Sequence, residues 1–273
     1  MTTTTSAASK VLFPNRFIQP SRYYTTGRPT YPKLLARRVA ALVGLTTDDA
    51  VLDLGTGPGF LALDFAPLAG AVSAVDPSDE MLAAARQNAA QAGLTIQFIK
   101  GSSFDLPPQL ERIKLVTIGR AFHWMDGDQT LRALDGLVVS GGAVSLYGER
   151  YPDVDENAWH VEFQALVDSY ATEDPARTRT RGARPHEIVF LRSRFDHLER
   201  ISVLERRNTP VERFVDRALS FGAAWDGRPG SREDDLAGEV RTLMAKHAGP
   251  DGNVREVVEG HALIAFRSSD VEP

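Results

Sequence analysis

The sequence predicts an α/β protein whose parallel sheet carries helices on both faces. Three observations predict it. Short apolar runs alternate with helical stretches between positions 50 and 149, the rhythm of strand–helix–strand units. Glycine-rich or acidic punctuation follows these runs, at the sheet edge where parallel α/β proteins bind ligands. Beyond Tyr151 the rhythm changes and a more helical part begins.

Taken in order, residues 1–22 start Thr/Ser-rich and are expected to form a flexible N-terminus. KLLARRVAALVG (33–44) has apolar positions at helical spacing and closes on Gly44, a suitable C-cap residue. AVLDL (50–54) reads as the first strand, GFLALDFAPLA (59–69) as a helix and AVSAVD (71–76) as the second strand. SDEMLAAARQNAAQAG (78–93) opens on a cap candidate, carries an acidic first turn and ends on glycine, a complete helix signature. TIQFIKG (95–101), KLVTIGR (114–120) and AVSLYGE (143–149) supply three more strands, the last after a helix near 128–138. The core is therefore expected over residues 23–150.

An insertion over 151–195 holds an amphipathic helix (155–171) and an Arg/Pro/Thr-rich connector (172–186). Residues 196–273 are expected to complete the same domain with a strand or hairpin arm to 210, helices near 211–224 and 233–247, and a last strand at 259–268. No internal repeat is visible.

Composition sets outer bounds on function. The chain has 273 residues, 42% of them hydrophobic and 25% charged, as an ordinary globular protein does. A net charge of -5 argues against nucleic acid as a partner, because phosphate binding needs a basic face. There is no cysteine, which removes disulfides, thiolate nucleophiles and Cys-ligated zinc. The histidines outside position 123 never fall at i, i+3 or i, i+4 spacing, so no metal site is read. The N-terminus lacks an apolar signal-like core and no apolar run is long enough for a membrane span. A cytoplasmic protein without membrane contact is the expectation.

The stretch VLDLGTGPGF (51–60) carries the functional signal. Glycine permits positive φ and brings main chain against a ligand without an intervening Cβ. The spacing is Gly55-x-Gly57-x-Gly59, whereas a dinucleotide fingerprint runs G-x-G-x-x-G; Phe60 stands where its third glycine belongs. Asp76 closes the second strand, where a carboxylate can accept ribose hydroxyls. Asp105 follows the third strand, placed to accept from an adenine amine, with Phe104 and Met81 as apolar walls. Three acids on consecutive strand tips, with no basic residue in the loop, fit an adenosine without phosphate. Aspartate is also a common turn and cap residue.

D-x-G-x-G-x-G (53–59), the acid closing the second strand and the Phe-Asp after the third resemble class I S-adenosylmethionine-dependent methyltransferases. Tyr24-x-x-x-Arg28-Pro29-x-Tyr31-Pro32 and AFHWMD (121–126) resemble the small-molecule subgroup that includes trans-aconitate methyltransferase. The resemblance implies a Rossmann-like seven-stranded sheet, mostly parallel with an antiparallel last strand, and a helical insertion after the fifth strand that sets substrate specificity. It implies S-adenosylmethionine as cofactor and a small-molecule substrate. Cofactor contacts are implied for Tyr24, Arg28, Asp53, Gly55, Thr56, Gly57, Gly59, Asp76, Pro77, Met81, Ser103, Phe104, Asp105, Arg120 and Ala121. Arg28 is expected to pair the methionine carboxylate under an N-terminal lid. Tyr31 and Trp124 are expected at the acceptor.

Methyl transfer from a sulfonium is an in-line displacement that asks mainly for alignment and exclusion of water. A carboxylate acceptor needs no base; a hydroxyl or amine is helped by one. His123 is the catalytic candidate, since it follows the fourth strand and titrates in a suitable range; it serves equally as a pocket wall. Trp159, Phe163 and Tyr170 could line a pocket, though helical spacing makes them ordinary core. Arg177, Arg179, Arg181 and Arg184 read as an anion-steering lid, a solvated loop, or a contact between two copies in a homodimer. A nicotinamide-dependent oxidoreductase and a non-catalytic S-adenosylmethionine binder stay open as alternatives.

Overall fold

The computed structural model describes residues 21–110, 112–171, 185–222 and 231–268. The N-terminal stretch before residue 21 and the connector arginines Arg177, Arg179, Arg181 and Arg184 lie outside the described residues.

Seven strands form one sheet in the order β3-β2-β1-β4-β5-β7-β6. They are β1 (Ala50–Leu54), β2 (Ala71–Asp76), β3 (Gln97–Lys100), β4 (Ile113–Gly119), β5 (Val138–Arg150), β6 (His197–Pro210) and β7 (Asn253–Phe266). The five-strand half is parallel, whereas β7 runs antiparallel to both β5 and β6. The expected antiparallel last strand beside the fifth is thus present, and it begins earlier than its apolar tail suggested. β6 is the outer edge and alternates half-buried with exposed positions, its charges guarding an otherwise open ladder.

Alternation along the buried strands sends Val51 to one face and Leu52 to the other. The first face is covered by α2 (Lys33–Leu42) and α3 (Phe60–Phe65), through Leu35, Val39, Leu61 and Phe65. α4 (Asp79–Ala92) lies beside α3 and packs on β2 and β3. The second face is covered by α5 (Gly127–Asp135) and α7 (His186–Phe190), through Leu131, Leu134 and Phe190. β5 starts at Val138, earlier than expected, because Val138 pairs with Ile113 before the ladder shifts register and resumes at Ala143. Gly141, at a φ of 67°, lets the strand bulge across that gap.

A third core stands at the C-terminal edge of the sheet. It joins α6 (His160–Tyr170), α8 (Val211–Ser220) and α9 (Ser231–Ala245) around Trp159, Phe163, Phe214 and Met244. α1 (Ser21–Gly27), a helix without a local sequence signal, packs along α8. No helix among the described residues is long and apolar enough to cross a membrane.

Candidate active site

β1 turns into α3 through Gly55, Thr56, Gly57, Pro58 and Gly59. The three glycines have φ of 71°, 55° and 87°, a region that side chains avoid. A Cβ at Gly55 would stand 2.8 Å from the Ala121 methyl and one at Gly59 would stand 3.2 Å from the Ala85 methyl. At Gly57 it would meet nothing within 4 Å among the described residues. Two glycines therefore serve packing, and the middle one faces open space.

The turn satisfies its own donors. Gly55 and Thr56 donate to the Val75 carbonyl at 2.8 and 3.0 Å, and Gly59 donates to the Thr56 carbonyl at 3.0 Å. Gly57 donates to Asp76 at 2.8 Å. Beneath the turn the Asp53 carboxylate accepts from the Thr117 hydroxyl at 2.8 Å, the Ala62 N–H at 3.1 Å and the Thr56 hydroxyl. Asp53 thereby ties the turn to α3 and to β4. Burial pushes its pKa up to about 6, against the lowering effect of these donors.

Asp76 caps the tip of β2. Its second oxygen accepts from the Ser78 N–H at 2.9 Å, and Ser78 in turn accepts from the Met81 N–H at the start of α4. Burial raises the Asp76 pKa. Each carboxylate oxygen retains a further lone pair. Pro77 is half-buried between these groups and Met81 is buried. At the next strand tip, Ser102 and Asp105 exchange backbone hydrogen bonds at 3.3 and 3.1 Å. That small bridge leaves Asp105 exposed, Phe104 half-buried and Ser103 buried. Pro77, Met81, Ser103, Phe104 and Asp105 thus stand on adjacent strand tips beside the glycine turn.

Arg120 closes the first cavity. Gly119 faces Tyr31 and Leu61, so strand alternation would turn Arg120 to the opposite face. A φ of 54° at Arg120 breaks the alternation, at a cost of about 1–2 kcal/mol for a side-chain-bearing residue. The guanidinium lies 4.8 Å from the Tyr31 ring and 5.8 Å from the Tyr24 ring. It donates to the Pro29 carbonyl and to Glu149, both at 3.0 Å. Tyr24, Tyr31, Thr56, Gly57, Phe60 and Arg120 surround a cavity of about 20 Å³, room for about one water. Tyr31 lines this cavity and packs edge-on against Tyr147 at 5.5 Å.

The N-terminal segment lies over this cavity, held by arginines from three directions. The Thr26, Pro29 and Thr30 carbonyls accept from Arg213 at 2.7 Å, Arg120 at 3.0 Å and Arg207 at 3.0 Å.

A second cavity of about 290 Å³ sits behind the Arg120–Glu149 pair, among Arg28, Glu149, Tyr151, Trp159, Arg217 and Phe221. Arg28 lines this cavity, while Arg120 lines the one at the glycine turn. Trp159 and Phe163 are both core and cavity wall. His123 is exposed on a single turn of 3-10 helix with Trp124, the two rings 4.8 Å apart. Neither lines either cavity.

Sequence reasoning missed Glu149, Tyr151 and Arg217. Glu149 carried a readable signal, as a charge at the ligand edge of the fifth strand; Arg217 carried none, being one polar position in an amphipathic helix. Among the described residues no group of three or more His, Asp or Glu could hold a metal.

A family model described as a methyltransferase domain matches residues 51–142. An uncharacterized methyltransferase of Mycobacterium bovis is 30% identical over 125 residues, 45% of this chain and 47% of its own. The probable S-adenosylmethionine-dependent methyltransferase CRG1 of Saccharomyces cerevisiae is 25% identical over 130 residues, 46% of this chain and 44% of its own. The chain spans about half the length of the curated relatives it matches. A solved structure from Anaeromyxobacter dehalogenans, carrying the name of a type II methyltransferase, is similar with a TM-score of 0.59 at 20% identity. That likeness covers 89% of this chain and 99% of the other, and it shows the fold. Residues 51–142 are therefore similar to a methyltransferase domain, and they contain the glycine turn and the acid at the tip of β2.

Proposed function

We propose that the protein transfers a methyl group from S-adenosylmethionine to a small-molecule acceptor by in-line displacement. One observation carries this reading over a nicotinamide dinucleotide: the main-chain donors of Gly55, Thr56, Gly57 and Gly59 are all committed within the protein. A pyrophosphate needs free N–H groups at such a turn. This turn instead offers bare main chain at Gly57 beside an acidic strand tip, which suits an uncharged ribose and a methionine tail.

In this reading Asp76 accepts ribose hydroxyls through its spare lone pairs. Met81 and Phe104 flank the base, with Ser103 and Asp105 at its rim. Thr56, Ala121 and Pro77 shape the groove around the glycines. Asp53 holds the turn from below. Arg120 takes over the pairing with the methionine carboxylate, because it lines the glycine-turn cavity and Arg28 does not. The bound cofactor supplies an activated methyl on a good leaving group. The chain's own contribution is to align the acceptor and exclude water, with Tyr24 and Tyr31 enclosing the reacting end. His123 and Trp124 take a place at the entrance, with His123 tested as a base by the pH profile of His123→Ala.

The test is thermal unfolding with S-adenosylhomocysteine or NADH, since a ligand selective for the native state raises the melting temperature. Stabilisation by the first alone supports the reading. Stabilisation by NADH alone assigns the site to a dinucleotide and ends it. A screen of metabolite extracts for a gain of one methyl then identifies the acceptor.

A further inference from the structure

The second cavity holds the charges and polar groups that the proposed cofactor site leaves unused. Arginines crowd its neighbourhood, and all but one are neutralised. Arg120 pairs with Glu149 at 3.0 Å and Arg150 with Glu259 at 2.7 Å. Arg217 makes a two-point pair with Glu256 at 2.9 and 3.1 Å. Arg28 has no ion-pair partner among the described residues. Its guanidinium rests 4.0 Å from the Phe221 ring centre and 5.3 Å from that of Tyr24. Burial lowers its pKa from the ordinary value, yet an arginine stays charged in a protein.

Three buried polar atoms of residues that line this cavity have no hydrogen-bond partner among the described residues: Arg28 Nε, Tyr151 Oη and Trp159 Nε1. Each such atom is costly to leave unpaired. Guanidinium and indole N–H groups only donate, so the missing partner is an acceptor, and the unpaired positive charge makes it an anion. One uncompensated cation balances one negative charge, which favours a carboxylate over a phosphate dianion. Aromatic rings supply the apolar part of the wall, Tyr151 and Phe163 meeting Trp159 edge-on at 5.1 and 5.6 Å, while Glu149, Arg150, His160, Gln164 and Arg217 supply its polar part. The Arg120–Glu149 pair spans from the glycine-turn cavity to this one, since Arg120 lines the first and Glu149 the second.

We propose that the cavity bounded by Arg28, Glu149, Tyr151, Trp159 and Phe221 is the acceptor site, and that it takes a small, flat, apolar molecule bearing one carboxylate, held by Arg28 and Trp159. The proposal rests on the methyl-transfer reading of the neighbouring cleft and adds the chemical class of acceptor to it.

The test is calorimetry on the full chain, using trans-cinnamate and its neutral amide as probes, with S-adenosylhomocysteine titrated separately. The acid is expected to bind about tenfold or more tighter than the amide. Arg28→Met and Trp159→Phe are each expected to weaken the acid by about tenfold, with S-adenosylhomocysteine affinity kept within about threefold. Trp159→Phe keeps one aromatic ring but removes the N–H together with the ring that carries it, so it is read against the neutral amide: acid binding lost with amide binding unchanged assigns the effect to the N–H, and decides the matter should Arg28→Met fail to fold. Equal binding of acid and amide, or binding of neither, overturns the proposal. Weakened S-adenosylhomocysteine with unchanged cinnamate in Arg28→Met also overturns it, by assigning Arg28 to the cofactor. Selective cinnamate binding without S-adenosylhomocysteine binding supports the pocket and removes the methyl-transfer reading instead, so the two failures are distinct.

Discussion

Arg120 and Glu149 meet at 3.0 Å on the partition between the two cavities, with side chains 12% and 14% exposed. The pair joins the ends of β4 and β5 and supports the N-terminal segment through the Pro29 carbonyl. Removing one partner of such a pair strands the other charge in a poorly hydrated site, which typically costs about 3–5 kcal/mol. Glu149→Ala is therefore expected to lose about 3 kcal/mol in urea unfolding, and Glu149→Gln distinctly less, because the amide oxygen still accepts from Arg120. A loss below about 1 kcal/mol in Glu149→Ala would show that water already screens the pair.

Gly27 marks the closest approach of α1 to α8. A Cβ there would stand 2.3 Å from the Asp216 carbonyl carbon and 2.4 Å from the Arg217 nitrogen, both main-chain atoms that cannot swing aside. Gly27→Ala must push α1 off α8, at a cost of about 1–3 kcal/mol. Tyr24 sits on the same short helix and lines the glycine-turn cavity. The expected result is a lower melting temperature together with weaker S-adenosylhomocysteine binding. Normal affinity in a destabilised Gly27→Ala would detach α1 from the cofactor site.

The legible parts of this fold were those whose physics is local. The glycine turn, the acid on β2 and the capped helix α4 each announce themselves within ten or so residues, because turn geometry and capping are short-range. The hidden parts depend on partners far along the chain. α1 is seven residues long and polar, and it exists only where α8 receives it. The early start of β5 depends on pairing with Ile113. The second cavity draws Arg28, Glu149, Trp159 and Arg217 from four separated segments. Helical spacing correctly marked Trp159 as core, and nothing local could add that its ring also bounds a cavity. Arg120 was legible as a candidate but not as the arginine that lines the glycine-turn cavity, since its left-handed φ reverses the direction that strand alternation assigns.

Burial raises the Asp53 carboxyl to about 6, from an ordinary value of 3.8. The folded chain thus binds this proton more tightly than the unfolded chain does. The resulting stabilisation is complete below about pH 3.8 and is lost as the pH rises through about 6. Asp53→Asn resembles the protonated acid: its oxygen can accept from Thr56 and Ala62 while its amide donates to Thr117. The stability difference between Asp53→Asn and the parent is expected to move in favour of the variant by up to roughly 3 kcal/mol between about pH 4 and 7.5. Denaturant unfolding across that range measures it. A constant difference would mean that Asp53 titrates at its ordinary value in the fold.

Gly57 and Gly59 separate the two uses of glycine in the turn. Both have left-handed φ, 55° and 87°, so alanine at either one carries a backbone cost of about 1–2 kcal/mol. Beyond that cost the sites differ. A Cβ at Gly59 would press on Ala85 at 3.2 Å, at the junction of α3 and α4, whereas a Cβ at Gly57 would meet no atom of the described residues within 4 Å. Gly59→Ala is expected to be the less stable variant while retaining much of its ligand affinity. Gly57→Ala is expected to fold nearly as well as the parent yet bind S-adenosylhomocysteine at least about tenfold more weakly, because its methyl occupies space the ligand needs. Melting temperature and calorimetric affinity, measured on both variants, give the ordering. If Gly57→Ala binds as the parent does, the open space at this turn is not where the cofactor lies, and the adenosine reading of the strand tips loses its anchor.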